Sequence, residues 1–163
     1  MPGEDLSILL VDDDDEDALI VCDLITRREP RWNVYRAKSL TDALARCAEQ
    51  EYDAMLLDYR LGGFDTGTDL LRQLRARGNH TPAVFLTAYG DEEIAVMAMK
   101  AGAADYLPKS RLSGLGLVAA IRYALALRHN PRLACGPLVP ALEHTSAAVG
   151  QNPGVIKPWH VSR

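Results

Sequence analysis

The sequence predicts an α/β protein built on a doubly wound parallel sheet. Three observations lead there. Five short apolar runs alternate with five stretches of helical periodicity over about 125 residues, the pattern of parallel strands joined by right-handed crossovers. The central runs at 8–11 and 54–57 are apolar without alternation, as strands covered on both faces must be. Acids, a threonine and a lysine stand directly after four of these runs, where an open parallel sheet presents its functional groups.

The first strand is the run 6–11, closed by Asp12 and Asp13. The acids Asp14 to Asp17 come next and suit the positive end of a helix dipole. The helix they open has Ile20, Val21, Leu24 and Ile25 on its inward stripe. A weaker second strand spans 33–37. Ser39, with Asp42 three residues on, resembles a capping box and opens a helix whose apolar face is Ala43, Leu44, Cys47 and Ala48. The third strand ends in Asp58. It runs into an irregular loop, Leu61-Gly62-Gly63-Phe64-Asp65-Thr66-Gly67, rich in turn formers. Thr66 and Asp69 repeat the capping pattern before a helix with Leu70, Leu71 and Leu74 inward and Arg72, Arg75 and Arg77 outward. Gly78 stops that helix. The fourth strand, 82–86, exits at Thr87-Ala88. Asp91 is placed to cap the next helix, which stops near Gly102. The fifth strand, 104–107, exits at Pro108-Lys109-Ser110. The last helix covers 115–128 with Leu117, Ala120, Ile121, Ala124 and Leu125 at helical spacing.

The chain of 163 residues is 48% apolar and 25% charged with a net charge of −4. Its length and composition suit one soluble domain with an extension. The acidic balance speaks against a general nucleic-acid binder. The N-terminus has no apolar signal core, and no run approaches the ~20 residues that span a bilayer. Neither secretion nor a membrane anchor is expected, and the reading is cytoplasmic. Cys22, Cys47 and Cys135 show neither zinc-ligand spacing nor a disulfide framework; Cys22 and Cys47 read as small core residues in a reducing compartment. The expected division is a domain over 1–128 and a Pro- and Gly-containing tail over 129–163, largely disordered by composition. A short helix over 138–149 is compatible with the tail, and Trp159 is an aromatic available for docking.

Taken alone, Asp58 is an ordinary strand-end acid. Strand order 2-1-3-4-5, the flavodoxin-like arrangement, makes strands one and three neighbours and brings Asp12, Asp13 and Asp58 together. Like charges 4 Å apart repel by about 4 kcal/mol at an effective dielectric of 20. Such a cluster requires a cation or a raised pKa, and a small set of hard oxygen ligands suits Mg²⁺. Asp58 could then act as a carboxylate nucleophile toward phosphorus. Lys109 would neutralise charge, while the Thr87 hydroxyl and neighbouring backbone N–H groups, including that of Ala88, would hold the transferred oxygens.

The segments Ile8-Leu-Leu-Val-Asp-Asp, Met55-Leu-Leu-Asp-Tyr-Arg-Leu, Pro82-Ala-Val-Phe-Leu-Thr-Ala and Ala101-Gly-Ala-Ala-Asp-Tyr-Leu-Pro-Lys together resemble the receiver domain of two-component response regulators over residues 5–128. The resemblance implies a single-domain response regulator with Asp58 as phosphoacceptor and Asp12 and Asp13 as Mg²⁺ ligands. It adds the backbone carbonyl of Arg60 to the metal set, makes Thr87 and Lys109 the phosphate-responsive pair, and puts Tyr106 at the aromatic switch position. It further implies a sensor histidine kinase or phosphotransfer protein as donor. The output surface would be formed by the fourth helix, fifth strand and fifth helix, received by another protein or a second copy of the chain. Such a protein is not an enzyme on other substrates; it catalyses only its own phosphorylation and dephosphorylation. One departure stands out. The family carries a proline after the lysine, in a cis peptide, whereas here Ser110 follows Lys109 and Pro108 precedes it. A cis bond at Lys109-Ser110 would cost ~3 kcal/mol, so a different local path is expected.

Two other readings compete. A receiver-like binding module that is never phosphorylated would keep the fold without the chemistry. A haloacid-dehalogenase-type phosphatase would also use an Asp nucleophile and Mg²⁺, and Asp12-x-Asp14 superficially matches its first motif. Glu16, however, stands where that motif wants a small or β-branched residue, and the chain has no room for a cap domain.

Overall fold

The apolar runs become five parallel strands because each is covered from both sides. The computed structural model describes residues 3–88 and 92–132. In chain order the elements are β1 (Ser7–Val11), α1 (Asp15–Arg28), β2 (Asn33–Ala37), α2 (Leu40–Glu49), β3 (Ala54–Asp58), α3 (Gly67–Ala76), β4 (Ala83–Thr87), α4 (Glu92–Lys100), β5 (Asp105–Pro108) and α5 (Gly114–His129), with a 3₁₀ turn at Lys109–Arg111. The sheet order is β2-β1-β3-β4-β5, all pairs parallel. The expected fold class and strand order are what the chain adopts.

Alternation along each strand divides the core in two. Leu9, Val11, Met55, Leu57 and Phe85 face one way and pack with α2, α3 and α4, through Leu40, Leu70, Leu71, Leu74, Ala95 and Ala98. Ile8, Leu10, Leu56, Val84 and Leu86 face the other way and pack with α1 and α5, through Ala18, Val21, Ile25, Leu117, Ile121 and Ala124. β3 and β4 are buried along their whole length, whereas β2, at one edge, alternates toward solvent. A strand covered on both faces gains on both, at roughly 25 cal/mol per Å² of apolar surface. That explains why the three inner strands carry the unbroken apolar runs.

The capping expectations hold where they fall on described residues. Ser39 accepts from the Asp42 N–H, and Thr66 and Asp69 complete a reciprocal capping box. Three expectations about side-chain direction are corrected. Ile20 is 54% exposed; the stripe that α1 buries is Ala18, Val21 and Ile25. Ala48 is exposed, and α2 buries Leu40 in its first turn instead. Arg75 does not face out: it is half-buried and donates to the carbonyls of Asn79 and Gly102, tying α3 to the loop before β5. Cys22 and Cys47 are free and half-buried, so they sit at the core margin rather than inside it, and burial pushes both thiols up. The expected cap Asp91 lies outside the described residues. So do Cys135, Trp159, the stretch 138–149 and the rest of the chain beyond residue 132.

Gly67 fixes how α3 leaves the strand end. It is the first residue of that helix, and its N–H donates to the Tyr59 carbonyl at 2.7 Å. A Cβ at this position would press on the Asp58 carbonyl oxygen and come within 2.8 Å of the Phe85 ring. Backbone and a fully buried ring cannot both give way. Gly67→Ala is therefore expected to lower unfolding free energy by about 1–3 kcal/mol, read by urea denaturation; an unchanged midpoint would show that β3 and α3 can separate without cost.

Candidate functional site

All five strands point their carboxyl ends at one edge of the sheet, and the chemistry-bearing residues gather there. β1 and β3 are neighbours with Val11 opposite Leu57, so Asp12 and Asp58 leave the sheet side by side. Asp12 is fully buried, Asp58 and Thr87 nearly so, and Asp13 is exposed. One carboxylate oxygen from each of Asp12, Asp13 and Asp58 can be chosen so that all three lie within 4.8 Å of one another. Opposite ligands of an octahedral Mg²⁺ site lie ~4.2 Å apart given bond lengths near 2.1 Å. The three acids therefore suit a hard cation once their oxygens draw closer and Lys109 releases Asp12 and Asp58.

Local structure explains why each acid sits where it does. The Asp12 N–H donates to the Ala37 carbonyl, continuing the β1–β2 ladder past its end. The guanidinium of Arg36, on β2, donates through Nε and Nη2 to the Asp12 carbonyl at 3.1 and 2.9 Å. Asp12 Oδ1 accepts from the Asp14 N–H at 2.9 Å, turning Oδ2 toward the site. The β3–α3 loop folds back through an Arg60–Thr66 bridge. Gly62 and Gly63 take positive φ there, which a side chain resists. Buried Leu61 pins that loop, and Gly62 packs close to Asp13.

Lys109 arrives from the 3₁₀ turn after β5, and no cis peptide occurs among the described residues. Its Nζ lies 2.8 Å from Asp12 Oδ2, 2.8 Å from Asp17 Oδ2 and 3.2 Å from Asp58 Oδ2. Burial pushes the Asp58 carboxyl up to about 6; Lys109 opposes that rise, Asp12 adds to it, and a hydrogen bond from the Arg60 backbone opposes it further. Burial alone would lower the Lys109 ammonium, but its hydrogen bonds to Asp12 and Asp17 and the charge of Asp58 hold it above its ordinary value. The result is a carboxylate short of neutralising charge and a cation that will not give up its proton.

Of the acidic run, Asp14 caps α1 by accepting from the N–H groups of Glu16 and Asp17. Asp15 pairs with Arg36 and Lys38 on β2's side. Asp17 departs from the expectation that all four acids serve the helix turn, because it reaches Lys109. A signal for this was present in the sequence. Asp17 lies four residues before Val21 and eight before Ile25, on the stripe that α1 buries. Arg36 was also missed, since a lone arginine on an edge strand carries no pattern. Thr87 stands opposite Pro108 across the β4–β5 pair, and Tyr106 stands opposite Phe85. Tyr106 is buried and belongs to the core layer that includes Ala95 and Ala98 of α4.

A family model described as the response regulator receiver domain matches residues 8–122. The chain is 37% identical over 130 residues to the transcriptional regulatory protein ZraR of Escherichia coli, an alignment covering 80% of this chain and 29% of that protein. It is 36% identical over 106 residues to the cyclic di-GMP phosphodiesterase response regulator RpfG of Xanthomonas campestris pv. campestris, covering 64% of this chain and 28% of that protein. The chain spans under a third of the length of these curated relatives. Among solved structures, a CheY-like response regulator receiver domain protein from Methanospirillum hungatei superposes with a TM-score of 0.68 at 23% identity, covering 78% of this chain and 99% of that one. At that identity the likeness concerns the fold. No helix among the described residues is long and apolar enough to cross a membrane.

The raised Asp58 carboxyl makes a stability prediction. Its folded pKa, about 6, lies above the 3.8 of an ordinary exposed Asp. Ionised Asp58 therefore weakens the metal-free fold at pH above about 6, and the penalty fades as pH falls through 6 toward 3.8. Without divalent cations at pH 7.5, Asp58→Asn should gain on the order of 1–2 kcal/mol over wild type. The gain should shrink by pH 5. A constant difference across that range in chemical denaturation would contradict it.

Proposed function

This chain belongs to the response regulator receiver domain family, and on that premise we propose that it is a phosphoacceptor switch. Asp58 takes a phosphoryl group from a histidine kinase or phosphotransfer protein. The observation that carries the reading is the buried Asp58 carboxylate at a strand end, 3.2 Å from the Lys109 ammonium and grouped with Asp12 and Asp13. Asp12, Asp13, Asp58 and the Arg60 backbone carbonyl would hold Mg²⁺, which would supply charge neutralisation for the attacking and transferred oxygens.

The chain's own residues do the rest. One Asp58 oxygen forms the new O–P bond as the P–N bond of a donor phosphohistidine breaks, and the bonding pair stays with the imidazole nitrogen. Asp58 becomes an acyl phosphate. The Lys109 ammonium pairs with one transferred oxygen, and the Thr87 hydroxyl and Ala88 N–H bind others. Water later attacks phosphorus, the Asp58 O–P bond breaks with its electron pair staying on the carboxylate, and inorganic phosphate leaves as the water gives up a proton to solvent. The only covalent chemistry assigned to the chain is this pair of reactions on itself.

Output follows from the packing of β4 and β5. If Thr87 shifts toward the phosphoryl group, the space it leaves borders the layer where Tyr106 packs with α4. A small local charge change then biases a two-state surface made by α4, β5 and α5. That surface exposes Val96, Met97 and Met99 on α4 and Tyr123 on α5, side chains suited to a protein partner or a second copy. The cytoplasm is where such a donor works.

The test is direct. Acetyl phosphate with Mg²⁺ should add one phosphoryl group to the wild type and none to Asp58→Asn, by intact-mass spectrometry under acid conditions. Label retained in the variant would end the proposal. A second expectation concerns the metal. Asp13→Ala should weaken Mg²⁺ binding by about tenfold or more. Asp14→Ala and Asp15→Ala should change it far less, because those carboxylates serve the α1 cap and the Arg36 pair. Equal losses in calorimetric titration would refute the assignment.

A further inference from the structure

Lys109 has three N–H donors, and three carboxylates take them: Asp12 and Asp17 at 2.8 Å and Asp58 at 3.2 Å. Two of these acceptors, Asp12 and Asp58, belong to the trio suited to a cation, and Asp17 falls outside it. The ammonium side chain is nearly buried, at 12% exposure. When Asp12 and Asp58 turn to a cation, Lys109 loses two partners at once. An ammonium left there without an acceptor carries a heavy desolvation cost. Asp17 is the acceptor that remains. It is held in the first turn of α1, where its own N–H donates to the Asp14 cap, and it sits on the stripe continued by buried Val21 and Ile25. It is also partly open to solvent, at 42% exposure.

We propose that Asp17 is a positioning residue for Lys109. It keeps the ammonium docked beside the site when Asp12 and Asp58 are given up to a divalent cation, and from that anchor the ammonium reaches a transferred oxygen. The inference rests on the reading that Asp12, Asp13 and Asp58 hold Mg²⁺. In the metal-free protein Lys109 is the site's internal counter-ion and therefore competes for the same oxygens. Asp17 lowers the cost of letting go. Removing its charge leaves Lys109 dependent on Asp12 and Asp58, so a residue that is not a ligand controls how readily the ligands become available.

A double-mutant cycle read by calorimetric Mg²⁺ titration tests this on the full chain. Asp17→Asn should weaken Mg²⁺ binding about five- to tenfold in the wild-type background and less than about twofold in the Lys109→Met background. The same loss in both backgrounds overturns the proposal, since a general charge effect or direct ligation by Asp17 does not pass through Lys109. No loss in either background also overturns it. If the wild type binds no Mg²⁺, the parent reading fails and takes this one with it. A second measurement needs no change at Lys109. In the Mg²⁺-loaded wild type the ¹⁵N-labelled Lys109 ammonium should be slow to exchange and visible by NMR, and Asp17→Asn should lose that signal while Asp17→Glu restores it. A signal that survives Asp17→Asn in the loaded protein overturns the proposal.

Discussion

The structure turns on one ammonium shared among carboxylates at the edge of a sheet. Asp12, Asp17 and Asp58 pair with Lys109, Asp13 stands beside Asp12 and Asp58, and two of the acids and the lysine side chain are almost withdrawn from solvent. Charges so placed are costly unless paired and hydrogen-bonded. The rest of the fold supplies the rigidity that keeps them together. The inner strands are packed on both faces and cannot splay, Arg36 clamps the backbone at Asp12, and Gly67 lets α3 close over the Asp58 carbonyl. None of these devices is catalytic, yet each fixes where a carboxylate points.

How far the sequence spoke depended on which forces were local. Strands covered on both faces leave unbroken apolar runs, and caps leave Ser or Thr with an acid three residues later. Both signals depend on neighbours in the chain, so the element order, strand order and strand-end acids were legible. The same strand-end positions marked Asp58, Thr87 and Lys109 for the rim where the structure has them. What failed was direction around a helix. Apolar spacing alone favours a stripe that includes Ile20, whereas the buried stripe runs through Val21 and Ile25 and, extended back one turn, through Asp17. Arg75 was placed outward because arginine usually is. Its guanidinium instead donates to the Gly102 carbonyl, a contact 27 residues away along the chain. Arg36 acts on a carbonyl, which no pattern of side chains records.

The site stands as a compromise between folding and readiness. A neutral side chain at position 58 would suit its buried setting better than a carboxylate does, and burial shows this by pushing Asp58 up to about 6. The strain is confined to the rim of the sheet, while the two apolar layers beneath are unbroken. Functional sites commonly hold such unfavourable charge, with stability supplied elsewhere in the domain.

The spacing of the cluster along the chain has a consequence for synthesis. Asp12 and Lys109 are 97 residues apart, and β5 is the last strand among the described residues. While the chain emerges from the ribosome, the acids near its start are exposed without the ammonium that neutralises them. α1 likewise waits for α5, which follows Lys109 and shares its core layer. Contacts this distant form late. A nascent chain therefore passes through an acidic, incomplete stage, and the cluster closes only once β5 and α5 have been made.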